Sequence, residues 1–375
     1  MGVATESAYN VSAYAQGGDM AKGSATIYDV AEVACVSIAT VSRVLNDSAN
    51  VRADTRDRVH AAIKQLHFVP STAARSLSGG RRGAIGLAYP LDEERSVATP
   101  SREDDASVLY TDAIIRGASW QASQLGYSLF ACAVRIGGKN DAHPLHQLSS
   151  AVDGIILTDR VVNNVKAMRI AKRMHAVHLS GSGSSRFGGT IRVDNSGGIT
   201  ALVRHLAEVH GTKNFGFVGG IPDSPDATAR FDAVVSSVTE VGGRLDSENV
   251  LVGDFSLARA EAAIEERLRH DTALPDVFVC ANDQMALGVV RVLRDNGHHV
   301  PDKILVTGFD DIPVAGQIYP TLTTVAQPSF ELGVAAVNMV IGLLDGEVAV
   351  GAIETLPTTM VVRGSCGCPI ERALS

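Results

Sequence analysis

No apolar run in this chain approaches the roughly 18 to 20 residues that a membrane span requires. The first 24 residues also lack the basic start and apolar centre of a secretion signal, so the expected compartment is the cytoplasm. Cysteine is scarce and odd in number, five in 375 residues, which in a cytosolic chain makes no disulfide framework. Cys132 and Cys280 stand in apolar runs and read as core residues. Cys366 and Cys368 have the spacing of half a metal site, but no second pair or histidine cluster completes them in the sequence, and no metal ligand is expected. Catalytic signatures are missing as well. There is no GxGxxG after a strand, no GxxxxGK[ST], no GxSxG and no HExxH, so neither an enzyme nor a cofactor is expected.

A net charge of −8 argues against nucleic-acid binding if the chain is taken as one body. Its distribution reverses that inference. Between residues 22 and 83 nine basic side chains face five acidic ones, about +4, which leaves the remainder near −12. DNA-facing charge is thus concentrated at one end.

That end contains TIYDVAEVACVSIATVSRVLN, Thr26 to Asn46, which reads as two short helices joined by a tight turn. Ile27, Val30, Ala31 and Ala34 fall at i, i+3, i+4 and i+7, and Thr26 with Asp29 has the spacing of a capping box. Ser37 is a good N-cap for the second helix, whose Val41, Val44 and Leu45 form its apolar stripe. The opposite face carries Ile38, Ala39, Thr40, Ser42, Arg43 and Asn46, small and polar groups with one guanidinium, which suit base edges and phosphates in a major groove. Val59, Ile63 and Leu66 mark a third helix, ended by Pro70, with Arg52 at its expected cap position.

The run YDVAEVACVSIATVSRVLN resembles the helix-turn-helix of the LacI/GalR family of bacterial repressors. Further on, VFVCANDQMALG, ILVTGFDDIP, YPTLTTVAQP and VVRGSCGC extend the likeness over nearly everything after residue 25. Cys35 departs from the glycine usual at the turn and should adopt a left-handed conformation at a cost of roughly 1 kcal/mol. The resemblance implies DNA contacts at Thr26, Tyr28, Ser37, Ile38, Ala39, Thr40, Ser42, Arg43, Asn46, Asn50 and Thr55. It also makes Ser71 to Gly80 a hinge helix that folds on operator DNA, with Leu77 wedged into the minor groove beside Ala74. Ile38 and Ala39 resemble the family's catabolite-control and purine-repressor pattern, which implies a pseudo-palindrome of about 14 to 20 base pairs with a central CG step.

From Gly83 onward apolar strands alternate with helices, as in AIGLAYP, YSLFACAV, DGIILT, AVHLSG, NFGFVGG, VFVCAND and ILVTGFDD, which implies parallel sheets covered on both faces. The expected fold is α/β: a three-helix helix-turn-helix headpiece followed by a two-lobed periplasmic-binding-protein-like core. The expected boundaries are a tail at 1–24, the DNA-binding domain at 25–70, hinge and linker at 71–83, and a core at 84–368 before a tail at 369–375. Lobe one would take 84–180 and 325–347, and lobe two 181–322 and 350–368. Residues 91–107 read as a charged loop near the cleft mouth, and 161–174 as a basic stretch with no assigned role.

Ligands of open α/β sheets bind at the carboxyl ends of strands, where Asp283 follows VFVCAN and could accept hydrogen bonds from hydroxyls. Asn282 or Asp283 could equally cap the helix that follows. By resemblance, Arg230, just before a helix beginning at Phe231, and the aromatics Phe255 and Tyr110 contact a small effector, most often a sugar, sugar phosphate or nucleobase. Taken alone, Arg230 could instead make a surface salt bridge, and each of the two aromatics could be plain core. One headpiece reads one half-site, so a homodimer on palindromic double-stranded DNA is expected. The C-terminal SCGCPIERALS carries no heptads for a larger assembly.

Overall fold

The computed structural model describes residues 25–45, 51–68, 81–92, 106–136, 143–158, 161, 169, 172–179, 188–270 and 273–369. The chain divides into two compact units, residues 1–80 and 81–375. No helix among the described residues is long and apolar enough to cross a membrane.

In the first unit three helices, α1 (Ile27–Val33), α2 (Ile38–Leu45) and α3 (Ala53–Gln65), close a small core. Val30, Ala31, Ala34, Val41, Val44, Val59 and Ala62 are buried at its centre, with Ile27, Leu45, Ile63 and Leu66 packed against them. These are the apolar stripes that the helical spacing predicts. The capping box forms as expected: Asp29 N–H donates to Thr26 Oγ1 while Thr26 N–H donates to Asp29 Oδ2 at 2.7 Å. That backbone N–H, and after it the Thr26 hydroxyl, which donates to the same Oδ2 at 2.8 Å, hold the Asp29 carboxyl below its usual range. Ser37 Oγ accepts from Thr40 N–H at 3.2 Å at the start of α2. Arg52 does stand at the N-cap of α3 and makes no side-chain cap bond.

The second unit holds two parallel sheets. The first-lobe sheet combines β1 (Ala84–Asp92), β2 (Ser128–Ile136), β3 (Gly154–Leu157), β4 (His175–Leu179), β5 (Gly188–Val193) and β11 (Ile353–Leu356) in the order β11-β5-β4-β3-β1-β2. On one face of it lie α4 (Ala106–Gln124) and α10 (Ser329–Asp345), whose Leu332, Ala336, Val337 and Val340 share a core with Ile85, Leu87, Ile114 and Val177. On the other, α5 (His143–Ala151) buries Leu145 and Leu148 with Ile155 and Leu157.

The second-lobe sheet has the order β7-β6-β8-β9, from β6 (Asn214–Gly219), β7 (Arg244–Val252), β8 (Val277–Cys280) and β9 (Leu305–Thr307). Around it pack α6 (Asn195–His210), α7 (Pro225–Glu240), α8 (Leu257–Leu268) and α9 (Asp283–Asp295), over a core centred on Phe215, Phe217, Phe278 and Phe309. An antiparallel pair, β10 (Thr324–Ala326) with β12 (Thr359–Val361), joins this lobe through bridges from Thr307 to Thr323 and from Asp310 to Ala326.

The chain therefore crosses between lobes three times, after β5, after β10 and after β11, and the expected lobe boundaries need correction. Residues 188–193 belong to the first lobe, since Val177 pairs with Gly189 and Ile353 with Thr190. Residues 353–356 join it as well, while Val325 and Ala326 stay with the second lobe. The glycine-rich opening of β5 and its Arg192 interrupt the apolar pattern, so only pairing assigns the strand. Arg81 and Arg82 are likewise part of the core rather than linker. Arg81 pairs with Asp345 at 2.6 Å and donates to Leu344 O, and the backbone N–H groups of Arg82 and Gly83 both donate to the Asp153 carboxylate at 2.7 Å.

Candidate functional site

The headpiece presents the expected face. Tyr28 is 66% and Ile38 41% exposed, although both are apolar groups in a domain small enough to need them inside. Ser37, Ala39, Arg43 and Thr26 are exposed too, and Thr40, Ser42 and Thr55 half-buried. Val41 and Val44, on the reverse of α2, are buried, so the sorting of the helix into core and outer faces is as predicted. Asn46, Asn50, Ala74 and Leu77, with the rest of the hinge stretch, lie outside the described residues. So do 93–105 and most of 161–174.

In the core unit the carboxyl ends of β6, β8 and β9 converge on Arg230. This residue sits in the second turn of α7, which begins at Pro225 with Ser224 as its N-cap, so Arg230 is inside a helix rather than before one. The helix starts earlier because Ser224 and Pro225 supply a cap and a first-turn residue with preset φ. Arg230 is 4% exposed. Its Nε donates to Asn195 Oδ1 at 2.9 Å and its Nη1 to Ala281 O at 2.6 Å, and Asp310 Oδ1 lies 3.5 Å from Nη1. The guanidinium stacks over the Phe309 ring, 3.7 Å from its centroid, and stands 5.9 Å from that of Phe255. Stacking and a fixed planar fork are what arginine offers and lysine does not.

Phe255 is held at φ 56°, and its ring lies only 2.2 Å from where a β-carbon on Gly220 would be, so Gly220 makes room for it. Asp310 follows β9 at φ 116°, a strained conformation that aims its carboxylate at Arg230. Gln327 Nε2 donates to the same carboxylate, and Asn195 Nδ2 donates to Asp226 at 2.8 Å. Burial outweighs Arg230 and pushes the Asp310 carboxyl up to about 7.

Asp283 does not face this cleft. It is fully buried, its oxygens accept from Ile312 N–H at 2.9 Å and from the Thr324 hydroxyl, and it lies 2.1 Å from the β-carbon that Gly308 lacks. Burial, and after it Asp310, raises its carboxyl well above the usual range. Asn282 is the N-cap of α9, accepting from Met285 N–H at 3.0 Å, so of the two residues it is the one that caps. Asp283 ties the loop after β9 to β10. The expectation placed Asp283 in the cleft, but both its carboxylate oxygens are taken up inside the lobe, and it is the Asp310 carboxylate that stands at a strand end beside Arg230. Arg230 and Phe255 are brought together. Tyr110 lies on the other lobe in α4, half-buried against the first-lobe core. Sequence reasoning missed Asn195, Phe309, Asp310 and Gln327, although the acidic doublet after ILVTGF offered a signal.

A pocket of about 680 Å³ opens beside the cluster at the crossover between lobes, lined by residues that include Arg192, Asp194, Asn195, Asp223, Asp226 and Thr355. Neither Arg230 nor Asp310 lines it, so the pocket adjoins the arginine cluster without containing it. Two histidines of α6, His205 and His210, come against Cys366 and Cys368, and the four side-chain donor atoms lie within 4.8 Å of one another. The fold closes a separation of about 160 residues that no sequence window spans.

A helix-turn-helix headpiece in the same chain as a two-lobed core of parallel sheets is the architecture of one class of DNA-binding transcriptional regulators. Residues 26–71 match the bacterial regulatory proteins of the lacI family, and residues 203–366 match the periplasmic binding protein-like domain. The transcriptional regulator RegA of Clostridium saccharobutylicum is 30% identical over 327 residues, 85% of this chain and 92% of that protein. Catabolite control protein A of Priestia megaterium is 28% identical over 91% of this chain and 98% of its own length. Among solved structures, the lac repressor dimer bound to operator and an anti-inducer is 27% identical with a TM-score of 0.76, covering 92% of this chain and 99% of that one. A CelR–cellobiose complex is 26% identical with a TM-score of 0.66, covering 91% and 99%. The chain belongs to the lacI family of DNA-binding transcriptional regulators.

Proposed function

We propose that this regulator is a repressor that binds a palindromic operator as a homodimer in the cytoplasm, under the control of a sugar-like effector held between its lobes without turnover. The observation that carries the effector reading is the cluster of Arg230, Asn195 and Asp310 against the rings of Phe255 and Phe309. A polyhydroxylated ring needs charged acceptors and donors for its hydroxyls and an aromatic face for its C–H surface, and the cluster offers both. Tyr110 contributes from the first lobe once the lobes close. The cellobiose in the CelR complex and the operator on the lac repressor dimer support the same reading for relatives of similar architecture.

On the DNA, Thr26, Tyr28, Ser37 and Thr55 approach phosphates, and Ile38, Ala39, Thr40, Ser42, Arg43 and Asn46 approach base edges. The hinge residues Ala74 and Leu77, with Asn50, complete the contact surface as the sequence resemblance implies. Effector binding shifts the population between lobe arrangements only as far as its affinity for the two differs. Selection from random duplex DNA by the purified protein, repeated with a panel of sugars and nucleobases, tests the whole reading. A palindrome whose enrichment depends on one ligand supports it. Failure to enrich any sequence, or consumption of the ligand, overturns it.

A further inference from the structure

The second lobe carries a cluster that the regulatory function does not use. His205 lies in the last turns of α6 and His210 ends that helix, just before Gly211 turns the backbone left-handed at φ 66°. Facing them, a short turn at Gly364–Cys366 is followed by Gly367 at φ 88°, which reverses the chain and brings Cys366 and Cys368 to the same two imidazoles. Cys366 Sγ lies 3.6 Å from His205 Nε2, and Cys368 Sγ lies 3.6 Å from His205 Nε2 and 3.4 Å from His210 Nε2.

We propose that His205, His210, Cys366 and Cys368 bind one zinc ion as a closed, tetrahedral structural site that clips the C-terminal turn to α6. Zinc bonds of about 2.3 Å to sulfur and about 2.0 to 2.1 Å to nitrogen give a tetrahedron whose sulfur–nitrogen edges are about 3.5 to 3.6 Å. The three sulfur–nitrogen separations match that edge to within about 0.2 Å, and with all four donor atoms within 4.8 Å of one another only a small closing movement is needed to seat an ion. Two thiolates and two neutral imidazoles balance the dipositive charge, and this soft donor set selects against magnesium and calcium. All four corners are filled by protein, which leaves no position for water or substrate and makes the site structural.

The surroundings fit a ligated sulfur. Thr323 Oγ1 lies 3.1 Å from Cys366 Sγ and 3.0 Å from Arg363 O, so its one proton is placed to serve either acceptor, and Thr323 N–H donates to Ser365 Oγ at 2.8 Å. Cys366 is fully buried while Cys368 and both histidines are half-buried, so an ion can enter from one side. A pocket of about 560 Å³, lined by His210, Gly211, Leu305 and Cys366 among others, opens at that edge. His210 and Leu305 mark the amino ends of β6 and β9, whereas Arg230 and Asp310 sit at the carboxyl ends, so the ion is separate from the effector cleft.

The test is elemental analysis of the full chain purified without chelators, with cobalt exchange as a second measurement. About one zinc per chain, and cobalt spectra with thiolate charge-transfer and intense tetrahedral bands, are expected. Both should be lost in Cys368→Ser and in His210→Asn, which change half-buried ligands and leave the buried Cys366 in place. Absence of bound metal together with no thiolate–cobalt bands in the wild-type chain would overturn the site, as would zinc retained in both variants. Recovery of Cys366 and Cys368 as a disulfide from the native chain would equally exclude it.

Discussion

At position 35 the backbone takes φ 51° in the turn between α1 and α2, the left-handed conformation expected there. The β-carbon of Cys35 is strained there, and the side chain is exposed, so nothing repays it. Cys35→Gly should raise headpiece stability by about 1 kcal/mol in chemical denaturation followed by helical signal. Arg52→Ser should add about 1 kcal/mol by supplying the missing cap bond at α3, measurable in the same experiment. The sign differs for Asp283. Asp283→Ala strands the Ile312 N–H and the Thr324 hydroxyl in a dry interior and should cost about 1 to 3 kcal/mol, with ligand affinity of the folded fraction unchanged. A large loss of affinity without loss of stability would return Asp283 to the cleft.

At the scale of elements, α7 and the loop after β9 are held together by Arg230 and Asp310, and that junction should be sensitive to pH. The Asp310 carboxyl is raised from 3.8 to about 7, so the folded state binds a proton that the unfolded chain releases. Its stabilising effect is complete below 3.8 and is lost as pH rises toward 7. Asp310→Asn should flatten the fall in melting temperature over that window; an unchanged profile would mean that another group sets it. A ligand whose hydroxyls donate to Asp310 favours the ionised form, so its binding should release a proton and tighten between pH 6 and 8, visible by calorimetry in two buffers. Arg230→Lys keeps charge but loses the fork and the stacking on Phe309, and it should weaken that ligand by about tenfold or more.

For the whole molecule, only three crossings, near residues 194, 327 and 357, connect the lobes, so a hinge between them would need backbone changes at few residues. Arg81 and Arg82 are held to the first lobe by Asp345, Leu344 O and Asp153, so the chain enters the core unit at a fixed point. In solution the protein should sediment near twice 39.3 kDa, and a mass near four times that value would overturn the dimer. Leu77→Ala should weaken binding to a selected operator by a few kcal/mol and leave non-specific DNA binding nearly unchanged. Equal losses on both would exclude the wedge.

The sequence by itself determined the headpiece, because helix stripes, the Thr26–Asp29 capping box and the Cys35 turn are local in the chain and have local causes. It determined the α/β alternation of the core for the same reason. Tertiary structure alone decided which strand joins which sheet, since β5 and β11 are short and lack a continuous apolar pattern, and register is fixed by neighbours far away in sequence. It also decided that Asp310 rather than Asp283 meets Arg230. The two residues follow the neighbouring strands β8 and β9, and only packing against Gly308, Ile312 and Thr324 turns the Asp283 carboxylate inward. The pairing of His205 and His210 with Cys366 and Cys368 belongs to the same class. Each half is unremarkable in its own segment, and the chemistry exists only once the fold brings α6 against the C-terminal turn.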